Sequence, residues 1–142
     1  MLVPAVARLP ELFGKWKLPR AAEVLATCAA DAATPVWMRA HAARGLCWLR
    51  DPRGLAAAAT VLAINDEQAR DPYAIKGLEV AQRTLHEFLA DVDRPDYLPI
   101  DPAADAPAAG LGAAWKAWLA KKGVKITWRE PRQDSDEMAL WY

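Results

Sequence analysis

Serine is nearly missing from this chain: Ser135 is the only one in 142 residues. No GxSxG elbow, Walker A loop or GxGxxG turn occurs, so a serine nucleophile is excluded and no phosphate-cradling motif is found. Histidine is limited to His41 and His86. Neither has a second His, Cys or acid at metal spacing such as HExxH, so both read as partly exposed helix residues. Cysteine is limited to Cys28 and Cys47, each in an apolar stretch without a CxxC pair, and both read as buried thiols. A basic excess is also lacking. Eighteen Lys and Arg balance eighteen Asp and Glu, which argues against a nucleic-acid partner. No apolar run approaches the length of a membrane span. The start, MLVPAVARLPELF, has no basic region, long apolar segment or A-x-A site, so it does not read as a secretory signal. The expectation is a cytoplasmic protein without membrane insertion, catalytic constellation, metal or cofactor.

What the chain does contain is apolar and helical. Hydrophobic residues make up 54% of a length suited to one domain. Three times a capping residue is followed at once by proline: Thr34-Pro35, Asp51-Pro52 and Asp71-Pro72. A Thr or Asp side chain can accept from a free N–H of the first helical turn, and proline fits the next position because its missing N–H would be unpaired there. Each pair therefore predicts a helix start.

Six helices follow from spacing. The first spans Val3 to Phe13, with Val6, Leu9, Leu12 and Phe13 on one face and Pro10 bending or shortening it. The second spans Pro19 to Ala30, with Val24, Leu25 and Cys28 inward. The third spans Pro35 to Arg50, with the stripe Val36, Ala40, Ala43 and Cys47. The fourth spans Pro52 to Ile64 and carries no charge from Gly54 onward. It is either sandwiched between neighbours or faces a partner. The fifth spans Pro72 to Ala90, with Ile75, Leu78, Leu85 and Leu89 as core and a polar face in which Glu79–Arg83 and Arg83–Glu87 sit at i, i+4. The sixth spans Gly110 to Lys122, with Leu111, Trp115, Trp118 and Leu119 on one face. Gly123 stops it. Val124 to Trp128 alternates and predicts one short strand.

Between the fifth and sixth helices, Asp91 to Ala109 holds four prolines and five aspartates against one arginine. Tyr97, Leu98 and Ile100 would pin this acidic connection across the end of the helices, and a mobile linker is the alternative. Residues 1–128 form the expected single domain, with the connection 91–109 inside it and 129–142 as a tail.

Internal spacing suggests a repeat. Thr34-Pro35 and Asp71-Pro72 are 37 residues apart, and Ala42 and Leu46 correspond to Ala81 and Leu85 at a spacing of 39. Both lie near the roughly 40-residue period of two-helix units. The run Met38-Arg39-Ala40-His41-Ala42-Ala43-Arg44-Gly45-Leu46 has an apolar residue and Arg, then small residues, then Leu one turn on. A short turn with Asp51 follows. On these residues Thr34 to Asn65 resembles a HEAT repeat. The ending Trp115 to Trp128 is similar to one found in bacterial HEAT-repeat proteins, where a Trp-rich helix, a Gly stop and a short strand close the stack. Two departures stand out. Asp91–Ala109 replaces a tight turn, and Gly77-Leu78 replaces the expected apolar residue and Arg.

The resemblance implies an all-α fold: a short right-handed stack of antiparallel helix hairpins, a HEAT-like α-solenoid, closed by a strand near the C-terminus. It implies a non-catalytic scaffold that binds a protein partner through its second helices, or a homo-oligomer. HEAT-like folds also host DNA glycosylase and bilin lyase activities, so an enzymatic or ligand-binding domain is the alternative, and a subunit of a larger assembly is a third. The candidate partner surface has several parts. One is the uncharged fourth helix (Leu55, Ala58, Leu62). Another is the pair Trp37 and Trp48, eleven residues apart on one helix face. The last are the arginines Arg39 and Arg44, and the terminal Trp141 and Tyr142. Arg39, Arg44, Arg50 and Arg53 together read either as a solvated face or as a site for an acidic partner, including the chain's own Asp91–Asp105 loop.

Overall fold

The computed structural model describes residues 9–64, 72–104 and 108–131, and within them the chain is all-helical. The helices are α1 (Leu9–Lys15), α2 (Ala21–Ala30), α3 (Val36–Trp48), α4 (Pro52–Leu62), α5 (Pro72–Glu87) and α6 (Ala109–Lys122), followed by a single 3₁₀ turn at Gly123–Lys125. Of the three expected caps, Asp51 acts as one: its carboxylate accepts from the Arg53 N–H at 3.0 Å, with Pro52 in the first turn. Thr34 does not. Pro35 occupies the N-cap position of α3 and no side chain caps it, because Thr34 belongs to the preceding turn, where its N–H donates to the Asp31 carbonyl. Asp71 lies outside the described residues.

The helices form two layers. α3 lies beside both α1 and α5, α4 lies beside α6, and α2 and α4 cover the other side of α3. α3 therefore packs against four helices at once, and every residue from Arg39 to Trp48 is buried. α4 is sandwiched between neighbours, one of the two arrangements expected of it: it packs on α3, α5 and α6 and keeps Ala56 and Thr60 exposed. The expected stripe of Val36, Ala40, Ala43 and Cys47 lies in the core. Ile75, Leu78, Leu85 and Leu89 of the fifth predicted helix lie there too, with Leu55, Ala58 and Leu62 from α4 and Trp115 and Trp118 from α6. A smaller cluster of Ala21, Leu25, Ala29, Ala42 and Leu46 joins α2 to α3.

α1 meets α3 backbone to backbone. A Cβ on Gly14 would come within 1.9 Å of the Gly45 carbonyl oxygen, and one on Gly45 within 2.6 Å of the Pro10 oxygen. This seat turns Pro10, Glu11 and Gly14 inward and leaves Leu9 exposed, so the buried face of α1 is not the apolar face expected from spacing. In α2, Leu25 is buried as expected, but Val24 is 55% exposed and Cys28 only partly covered.

α3 ends in a Schellman motif. The Asp51 N–H donates to the Leu46 carbonyl and the Arg50 N–H to that of Cys47, with Arg50 at φ 57. Gly123, at φ 56, stops α6 as expected. No strand follows among the described residues. After the 3₁₀ turn the chain runs back to the end of α5 and makes one antiparallel bridge, Leu89 to Trp128. Ala90 N–H donates to the Thr127 carbonyl and Arg129 N–H to that of Phe88, both at 2.9 Å. The partner segment is the exit from a helix, so it offers too few extended peptide groups for a longer ladder.

The acidic connection crosses the end of the helices. Gln82 is buried in α5 and its side-chain amide clamps the Leu98 backbone in both directions, at 2.7 and 3.0 Å. The Tyr97 ring stands edge-on to His86 and Ile100 packs on the core. Arg94 donates to the Leu89 and Asp91 carbonyls and to His86 Nδ1. Burial and the adjacent Arg94 guanidinium together push the His86 imidazole down to about 4.

Candidate binding groove

α2 and α4 flank each other over α3 with little direct contact, and small side chains line the space between them. Ala26, Ala29 and Ala30 form one wall, Ala56, Ala57 and Thr60 the other, and Leu46 with Arg39 the floor, with Arg53 at one end. The open groove has a volume of about 460 Å³. Its spacing follows from helix geometry: Ala26 and Ala30, like Ala56 and Thr60, are one turn apart and so share a face. The Thr60 hydroxyl donates to the Ala56 carbonyl at 3.0 Å, which leaves that wall apolar in character.

The floor carries a charge. Arg39 is only 8% exposed. Its Nε–H donates to the Ala29 carbonyl at 3.2 Å, tying α3 to α2, and no acidic side chain among the described residues pairs with it. Arg53 differs. It embraces Asp51, with Nη2 at 2.6 Å from Oδ2 and Nε at 3.1 Å from both oxygens. These bonds hold the Asp51 carboxyl below the usual carboxylate range. Asp51 thus closes α3 with its backbone N–H, while its carboxylate starts α4 and fixes the arginine at the groove's end.

The other arginines have different surroundings. Arg44 is 1% exposed and lies in a buried polar network. Its Nε donates to Glu11 Oε1 at 2.9 Å, Nη1 to Thr84 Oγ1 at 3.3 Å and Nη2 to Glu87 Oε2 at 2.6 Å. Trp48 Nε1 donates to the same Glu11 oxygen at 3.1 Å, and His41 Nδ1 stands 3.6 Å from Glu11 Oε2. His41, Arg44 and Trp48 share one face of α3 at i, i+3 and i+7, the face on which the α1 seat places Glu11. Burial acts to raise the Glu11 pKa; His41, Arg44 and Trp48 act against it and hold the carboxyl at about 2. Arg50 pairs with Glu130 at 2.5 Å and lies over the Phe88 and Trp128 rings. None of the four arginines has an ion pair with the acidic connection among the described residues. Its Asp91 and Asp93 pair with Lys122 instead, at 3.6 and 3.0 Å.

The candidate surface is therefore only partly brought together. Leu55, Ala58 and Leu62 are core and offer no surface. The exposed side of α4 holds Ala56 and Thr60 instead. Trp48 is buried, in edge contact with Phe88, while Trp37 is half-buried where α5 crosses at Gly77, so the two do not form one exposed aromatic face. His41 is buried, not partly exposed. Arg39 reaches the groove and Arg44 does not. Trp141 and Tyr142 lie outside the described residues. The alanines that shape the groove were not singled out in the sequence; the signal they leave there is a run of small residues on one face of each of two helices.

Among the described residues no group of three or more His, Cys, Asp or Glu side chains is placed to hold a metal ion. Both thiols are free, and burial pushes that of Cys47 up to about 12. No helix among the described residues is long and apolar enough to cross a membrane. Comparison of the chain with known protein families, curated proteins and solved structures finds no match.

Proposed function

We propose that this chain is a non-catalytic binding module, a HEAT-like right-handed stack of helix hairpins acting in the cytoplasm, that takes a segment of a protein partner into the groove between α2 and α4. The groove itself carries this reading: two second-position helices held apart over α3, with alanine walls and an open length. A small molecule is usually enclosed on most sides by its site. An open trough between two helix walls suits a chain segment, whose side chains recur at about one helical turn or two strand residues, the interval set by the wall alanines.

Capture from the protein's own host with tagged wild type and an Ala56→Trp variant tests this. Ala56 is exposed, so the indole fills the groove without disturbing the core. The expected result is a stoichiometric protein partner retained by wild type and lost from the variant. A partner retained equally by both contradicts the groove as its site.

A further inference from the structure

The groove reading leaves its partner's chemistry open, and Arg39 narrows it. A guanidinium stays protonated at any physiological pH, so a buried arginine cannot relieve an unfavourable site by neutralising. Buried charges are therefore ordinarily paired. The other fully ionic buried groups here follow that rule: Glu11 with Arg44, and Asp91 with Lys122. Arg39 is the exception among the described residues. Its Nε is used by the Ala29 carbonyl, and no further hydrogen bond or ion pair within the described chain engages its charge. It forms the floor of an apolar trough, with Arg53 held in place nearby by Asp51.

Resting on the groove reading, we propose that the partner segment carries one carboxylate side chain among apolar residues, and that Arg39 is its anchor. The carboxylate fits the fork of the guanidinium with charge-assisted bonds. The flanking apolar side chains lie on the alanine walls. Arg53, already paired with Asp51, frames the groove's end and leaves Arg39 as the charge the carboxylate meets. A segment with a basic residue at that position is rejected, because it sets like charge against a guanidinium that cannot discharge.

The test uses the full chain and a random library of twelve-residue peptides displayed on phage. Peptides retained by wild type are expected to carry a single Asp or Glu among Leu, Ile, Val, Met or Phe, and to lose retention on Ala56→Trp. One retained peptide is then synthesised with its acid and with the matching amide, Glu→Gln or Asp→Asn. Fluorescence anisotropy should show the amide form binding wild type about tenfold or more weakly, the scale of one charge-assisted hydrogen bond. Arg39→Met should weaken the acidic peptide to the level of its amide form. Because Arg39 also holds α2, that variant's fold is checked by circular dichroism; if it unfolds, the peptide pair on wild type decides. Retained peptides that are blocked by Ala56→Trp but show no acidic preference, or tolerate the amide, overturn carboxylate recognition and leave the groove standing. Retention indifferent to Ala56→Trp, or no retained peptide at all, overturns the groove reading and this inference with it.

Discussion

Glu11 is the one acid on the seven-residue helix α1, and the network around it makes the stability of the chain sensitive to acid. Its carboxyl is held at about 2 in the folded chain against an ordinary value of 4.5. A group whose pKa is depressed by folding stabilises fully above its unfolded value and loses that contribution as pH falls towards its folded one. Unfolding by urea should therefore become easier for wild type between about pH 4.5 and pH 2. Glu11→Gln should lose about 3 kcal/mol at pH 7, the scale of breaking a buried ion pair, and show a flatter acid limb. An acid limb identical to that of wild type would show that Glu11 is not the titrating group. Lys17 gives a second residue-scale expectation. It sits at φ 52 on an exposed turn, where glycine has no Cβ clash. Lys17→Gly should raise stability by about 0.5–1 kcal/mol in the same measurement. Sequence spacing exposed neither residue's role. Glu11 and Arg44 are 33 positions apart, and what buries them is a Gly14–Gly45 contact between two helices, which no periodicity records.

At the scale of elements, spacing revealed six helices, because proline, glycine and apolar stripes act locally; the start expected for the first at Val3 lies outside the described residues. It assigned their faces less well. Helix three carries two arginines and a histidine among its buried residues, so its pattern reads as half-solvated although four neighbours enclose it. Helix four has no charged residue after Arg53, yet keeps its exposed side in alanine and threonine, so the pattern could not separate core from groove. The expected strand needed a partner that only the fold could show, and that partner proved to be a helix exit. Two substitutions test these packings. Gly45→Ala places a methyl against the Pro10 carbonyl, a backbone atom that cannot rotate away, and should cost about 1–3 kcal/mol in urea unfolding. Leu62→Glu sets a carboxylate at a fully buried core position of α4 and should abolish cooperative thermal unfolding. A folded Leu62→Glu protein would mean that this face of α4 is surface after all.

For the molecule as a whole, two layers of helices are bound at one end by the acidic connection and the returning C-terminal segment. Gln82 fastens the connection by mimicking a peptide group. Gln82→Ala should open it to limited proteolysis between residues 91 and 104 while the helical circular dichroism signal persists; cleavage no faster than in wild type would show that other contacts hold it. The groove lies between α2 and α4, and its shape comes from side chains that are small. A sequence shows residues that contribute chemistry more readily than residues that leave room, which is why Arg39 stood out early and Ala26, Ala30 and Ala56 did not. The most direct test of the account is a titration of the isotopically labelled full chain with a retained acidic peptide, followed by NMR. The account predicts saturable shifts at the Arg39 side-chain Nε–H and at the amides of Ala26, Ala30, Ala56 and Thr60. Saturable shifts confined to other helices, with these signals unmoved, would contradict it.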